Sequence, residues 1–122
     1  ILDLGDRPLV EAGNIVSETL VSRGKPDAVF CSTDWLAWET IHSLRESGLT
    51  VGKDVMVVGF NNDMLSRYIQ PALTSVDIPY EDLGIQGARL LLEAYEERCQ
   101  IGKKIWLPTD LVIRSSSVAV PE

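Results

Sequence analysis

A single histidine, two cysteines, 11 basic residues against 18 acidic ones, and no long apolar run set the first limits on this 122-residue chain. His42 falls in the middle of an expected helix beside aromatic residues. A Ser-His-Asp or Cys-His arrangement would therefore need a side chain directed sideways out of the fold. No GxSxG elbow is present to present a nucleophile. Neither GxGxxG nor GxxxxGK[ST] occurs, so the turns between strands and helices offer no glycine cradle for a pyrophosphate or triphosphate. Cys31 and Cys99 lack CxxC or Cys/His spacing, and each lies on the apolar face of its expected element. They are expected as buried, reduced thiols rather than a disulfide. Asp34 with Asp63, lacking histidine or a third acid, makes a poor metal site, so no metal and no cofactor is expected. The net charge of -7 repels a phosphate backbone, and these residues are not expected to grip DNA or RNA themselves. No run approaches the roughly 20 apolar residues that span a bilayer. The start ILDLGDRP has neither the basic segment nor the cleavage site of a signal peptide. A cytoplasmic location without a membrane partner is the expectation.

What is present suits one packed domain or a piece of one: 45% of residues are apolar and 24% charged. Apolar runs rich in β-branched residues occur at ILDL (1–4), DAVFCS (27–32), VMVVGF (55–60) and LTSVDI (73–78), with shorter ones at KIWLP and LVIRS. Helical patterns lie between most of them. The first spans about Pro8 to Arg23, with Asp6 or Arg7 as cap, Pro8 in the first turn, and Leu9, Gly13, Val16 and Leu20 on one face, until Gly24 stops it. The second begins at Asp34 and aligns Ala37, Ile41, Leu44 and Gly48. The third covers about Tyr80 to Cys99. Strand, helix, strand, helix, strand is the order of an α/β, Rossmann-like parallel sheet with helices on both faces, which accounts for VMVVGF being apolar throughout.

In such a sheet the right-handed crossovers bring the strand-to-helix loops to one edge, where ligands bind. The loops GDR (5–7), STD (32–34) and NND (61–63) converge there. Thr33, Asp34, Asn61 and Asn62 combine donors and acceptors with little charge, which suits a hydroxyl-rich or amide-bearing small molecule, and Arg7 would add a bidentate donor. Each residue also has a plainer reading. Asp34 stands where a helix N-cap belongs; Asn61 and Asn62 suit an Asx turn; Arg7 suits a solvated loop charge.

Two further surfaces stand out. Trp35, Trp38 and His42 fall on a stripe of the second helix turned away from Ala37, Ile41 and Leu44. They are suited either to an interface or to cover by a neighbouring loop of the same chain. The third helix carries Leu83, Gly87, Leu90, Leu91 and Ala94 on one face and Ala88, Leu92, Tyr95 and Cys99 beside it, more apolar girdle than one neighbour covers.

The block PDAVFCSTDWLAWETIHSLRESGLTVGKDVMVVGFNND resembles the effector-binding core of the LacI/GalR family of bacterial transcription regulators. RYIQPALTSVDIPYEDLGIQGARLLLE and LPTDLVIRSSS continue the resemblance, which covers residues 26 to about 117. It implies one lobe of a type I periplasmic-binding-protein-like fold. Residues 1–122 would form the C-terminal lobe, in part, of a ligand-binding core, and 80–99 would be the helix that packs on a first lobe absent here. By the same resemblance the function is sensing of a small polar effector such as a sugar, with operator DNA bound through a headpiece outside this chain. A transporter's periplasmic sugar-binding protein is the alternative on the same fold, and an α/β hydrolase the alternative of another class. The family's polar position before the loop Asp falls on Thr33, and its ligand-binding carboxylate on Asn61. Both depart from the commoner Asn and Asp, and near Arg7 the family's usual aromatic is replaced, which favours a polar or acidic effector over a stacked sugar. The family's side-by-side homodimer contact maps onto Trp38 and Tyr68, with Trp35 beside them.

Overall fold

A computed structural model describes residues 8–96 and 102–118. The expected first strand (1–4), Arg7, and the end of the third helix with Cys99 lie outside these residues. In chain order the elements are α1 (Leu9–Arg23), β1 (Ala28–Phe30), α2 (Asp34–Glu46), β2 (Met56–Asn61), a 3₁₀ turn (Met64–Arg67), β3 (Thr74–Asp77), α3 (Tyr80–Tyr95) and β4 (Asp110–Val112). They fall into a larger unit, which the chain leaves after Asp77 and re-enters at Leu111, and a smaller one, Ile78–Asp110.

The strands lie in the order β1-β2-β3-β4. β1 and β2 are parallel with Val29 opposite Val57. β2 and β3 are parallel with Gly59 opposite Ser75 and Asn61 opposite Asp77. The carboxyl ends of these three strands therefore share one edge, as the alternation of strands and helices predicts. KIWLP (104–108) forms no strand: Pro108 cannot donate to a ladder, and pairing begins only at Asp110.

Helix α1 starts one residue later than the pattern suggests. Pro8 stands outside it with extended ψ, yet its carbonyl takes the first helical bond from Ala12 (3.0 Å). Gly24 ends it at φ 99, a conformation that favours glycine. Gly13 lies against α2 so closely that a Cβ there would sit 2.7 Å from Glu39 Cβ. Helix α2 presents the stripe read from its spacing. Ala37, Ile41 and Leu44 pack with Cys31, Val51, Val55, Val57 and Leu73 into the core of the larger unit. Complete burial of side chains such as Leu44 and Leu73 contributes about 1.5–3 kcal/mol each. The opposite face of the sheet carries Phe30, 63% exposed and edge-on to Phe60 at 6.3 Å between ring centroids.

After β4 the chain closes over the strands through serines. Ser116, fully buried, donates from its hydroxyl to the Val57 carbonyl (2.6 Å) and accepts the Thr74 N–H (2.8 Å). In the smaller unit α3 has no buried residue: Leu91, Leu92 and Tyr95 are 72%, 60% and 85% exposed.

The Gly13 contact makes a test of the α1–α2 packing. Gly13→Leu should lower stability by about 1–3 kcal/mol, the ordinary cost of overpacking. A fall in the urea midpoint of the full-length protein measures it, with Gly24→Ala as a separate strain-only control.

Candidate functional site

The sheet edge at the carboxyl ends of β1, β2 and β3 is organised by one carboxylate. Thr33, extended at φ -147, caps α2 by accepting the Leu36 N–H on its hydroxyl (3.2 Å), so the capping role expected of Asp34 falls one residue earlier. Asp34 is instead the first helical residue and is fully buried. Its Oδ2 accepts the Asp63 N–H and the Ser66 hydroxyl, both at 2.6 Å, and its Oδ1 accepts the Ser75 hydroxyl at 2.6 Å. These are short, charge-assisted bonds from three different segments. They compensate the desolvation that an isolated buried carboxylate would suffer. Gly59 makes the arrangement possible, because a Cβ there would overlap the Asp34 carboxylate and come within 2.9 Å of Leu73 Cδ2. Asp34 thus faces inward, and a direct ligand contact from it is not what its geometry serves.

Beyond β2 the backbone takes two positive φ values in succession, 111 at Asn61 and 50 at Asn62. Asparagine tolerates that region better than other residues with a Cβ, which is why the loop is built from two of them. Asn62 is held on every side: its N–H donates to Ser75 Oγ (3.0 Å), its Nδ2 to Asp77 Oδ1 (3.0 Å), and its Oδ1 accepts from Arg114 Nη2 (2.7 Å). Asn61 is half-buried at the strand end beside Asp77. Thr33 is also half-buried, and its hydroxyl, accepting from Leu36, retains its own proton for donation. The structure brings Thr33, Asp34, Asn61 and Asn62 to one edge, while Arg7 lies outside the described residues.

Several participants were missed from sequence: Gly59, Ser66, Ser75, Asp77 and Arg114. Ser75 and Asp77 left a signal, two polar residues at alternate positions of the strand run LTSVDI. Their register opposite Gly59 and Asn61 places both on the loop side of the sheet.

His42 is mostly exposed, its Nδ1 3.6 Å from Glu46 Oε2 one helical turn away. Burial pushes the Cys31 thiol up to about 11, partly offset by its bond to Thr40 and reinforced by the nearby Asp34 charge; the neutral thiol is the form held at ordinary pH. Among the described residues no three His, Cys, Asp or Glu side chains cluster as metal ligands, and no helix is long and apolar enough to cross a membrane. Trp35 and Trp38 meet edge to face at 4.6 Å. Trp35 is half exposed, and Trp38 packs partly on the core with its indole N–H buried and without an acceptor among the described residues. Tyr68 is 68% exposed.

Comparison with known proteins agrees with this geometry. The family described as periplasmic binding protein-like domain matches residues 5–117. The HTH-type transcriptional regulator RegA of Clostridium acetobutylicum is 43% identical over 74 residues, 61% of this chain and 22% of that protein. Catabolite control protein A of Priestia megaterium is 34% identical over 102 residues, 84% of this chain and 31% of that protein. Among solved structures, the lac repressor dimer bound to operator and the anti-inducer ONPF superimposes with a TM-score of 0.83 at 27% identity, over 94% of this chain and 40% of that one. The transcriptional regulator CelR–cellobiose complex gives 0.81 at 31% identity, over 88% and 33%. The chain spans less than a third of the length of these two curated relatives.

The Asp34 cluster predicts a large stability effect. Asp34→Ala leaves the donors of Asp63, Ser66 and Ser75 without their acceptor, at a cost of about 3–5 kcal/mol. Asp34→Asn keeps one acceptor but turns an N–H₂ toward donors and should lie between that variant and the parent protein in urea denaturation.

Proposed function

The chain belongs to the periplasmic binding protein-like family of LacI/GalR-type regulators, and from that premise we propose that it senses a small, hydroxyl-rich or otherwise polar effector for a transcription regulator. Asn61 and Thr33 are the residues assigned to the effector, with Arg7 as a further donor. Asp34 positions their loops from beneath. The observation that carries this reading is the edge itself: two half-buried polar side chains, Thr33 and Asn61, beside adjacent strand ends whose loops a buried carboxylate holds. An amide at Asn61 both donates and accepts, whereas a carboxylate only accepts, so sugars and other neutral polar molecules fit it. The cellobiose bound to CelR and the anti-inducer bound to the lac repressor, each in its own protein, support an effector of this chemistry.

In this reading the protein is a sensor and not an enzyme, it works in the cytoplasm, and it reaches operator DNA through a headpiece outside these residues. The acidic balance of the chain is consistent with that division of labour. Helix α3, with no buried residue in its own unit, is assigned to packing on a first lobe. Effector occupancy then changes operator affinity because the two states differ in their contacts with the effector.

The exposed Trp35 and Tyr68, with Trp38 beneath, are assigned to a two-fold homodimer contact. Aromatic anchors at an interface centre lose little side-chain entropy on burial. The lac repressor structure similar to this chain is itself a dimer.

Two measurements test these assignments. Titration calorimetry of the full-length protein with cellobiose, D-glucose and D-ribose should show Asn61→Ala weakening the bound sugar by about 1–3 kcal/mol, roughly 5- to 150-fold. Equal affinity in the two proteins removes Asn61 from the site. For the dimer, Trp38→Glu sets two like charges across the axis and should shift the sedimentation coefficient toward monomer with circular dichroism retained. A parent protein already monomeric at high concentration returns the tryptophans to their own core.

A further inference from the structure

The loop after β2 is bonded to both places where the chain passes between its two units. Asn62 Nδ2 donates to Asp77 Oδ1 (3.0 Å), and Asp77 is the last residue before the chain leaves the larger unit. Asn62 Oδ1 accepts from Arg114 Nη2 (2.7 Å), and Arg114 follows closely on the return at Leu111. The second arm of the guanidinium, Nη1, donates to the Leu73 carbonyl (2.6 Å), and the Arg114 N–H donates to Thr74 Oγ1 (2.7 Å), so the returning segment is locked to the start of β3. The Asn62 N–H reaches Ser75 Oγ, whose proton goes to Asp34.

The residue type follows from this position. Asn62 stands between a carboxylate and a guanidinium, its N–H₂ end toward the first and its oxygen toward the second. Aspartate would repel Asp77, a cationic side chain would repel Arg114, and an aliphatic one would satisfy neither. Its left-handed backbone, φ 50, is one that asparagine accepts. The adjacent amides therefore divide the work: the side chain of Asn62 is committed within the chain, next to the residue assigned to the effector.

We propose that Asn62 is a positioning residue, and that Asp77, Asn62 and Arg114 form the link by which occupancy beside Asn61 is transmitted to both connections between the units. This rests on the effector reading of Asn61. Any displacement of the 61–63 loop moves an amide bonded to the exit strand and the return strand together. Hydrogen-bonded networks are one way such coupling is carried, and the three side chains supply one.

Amide hydrogen exchange on the full-length protein tests the link without any effector. Asn62→Ala and Arg114→Met should each speed exchange about tenfold or more at Asp77–Ile78 and at residues 111–114, with α2 unchanged. The double variant should exchange no faster than the worse single one, and Arg114→Lys should restore part of the protection. Asn62→Asp, which keeps the acceptor for Arg114 but opposes Asp77, should loosen the exit strand and spare the return strand. Unchanged exchange at both connections overturns the link, and so does a uniform rise across the larger unit in all variants. In the parent protein, a sugar among cellobiose, D-glucose and D-ribose that binds by calorimetry should slow the same amides, and Asn62→Ala should abolish that slowing. Binding without slowing overturns the link but leaves the effector reading, whereas equal binding by Asn61→Ala overturns the effector reading on its own.

Discussion

The larger unit depends on a negative charge placed where water cannot reach it. Asp34 accepts from the backbone of Asp63 and from the hydroxyls of Ser66 and Ser75, so one carboxylate fixes the start of α2, the loop after β2 and the middle of β3. A buried charge is tolerated only when its oxygens are satisfied. That requirement propagates outward: Ser75 must present its oxygen to Asn62, Gly59 must lack a side chain, and Thr33 rather than Asp34 must cap the helix. A polar network so connected specifies one arrangement of the loops, since any slip strands a donor in a medium of low dielectric.

The same constraint shapes what the sheet edge offers to a ligand. Because the Asp34 carboxylate points inward, Thr33 and Asn61 bring a hydroxyl and an amide to the edge, beside the carboxylates of Asp63 and Asp77. Under the proposed effector reading, a hydroxyl and an amide suit neutral polar molecules through directed hydrogen bonds. Recognition of this kind is selective by geometry, because each unpaired group in a desolvated site costs about 1–3 kcal/mol. Asparagine at two successive positive φ angles adds a backbone that only a few residue types tolerate, and the second amide bonds Asp77 and Arg114.

Apolar surface is distributed unevenly. The core beneath α2 is tightly filled, down to a glycine contact between α1 and α2, whereas Phe30, Trp35, Tyr68 and the whole of α3 retain exposed rings or aliphatic chains. In the proposed reading the exposed rings of Trp35 and Tyr68 belong to a homodimer contact and the apolar girdle of α3 to a first lobe.

Periodicity and punctuation in the sequence were enough for the parallel sheet, the three helices of the described residues and the sheet edge where Thr33 and Asn61 lie. Those features follow from local physics: side-chain repeats of two or 3.6 residues, Gly24 as a stop, and the handedness of crossovers. The resemblance to LacI/GalR regulators was legible too, in the order and spacing of its segments. Tertiary structure alone decided what Asp34 does, because an aspartate at a helix start is equally suited to capping, to ligand contact or to burial. The choice depended on residues 25 to 41 positions away, Gly59, Asp63, Ser66 and Ser75, whose approach no local pattern encodes. Arg114 is a further case: 52 positions separate it from Asn62, and nothing near it in the sequence marks the amide it would meet. Long-range hydrogen bonds of this sort depend on the register of β2 against β3, and that register exists only once the sheet has formed.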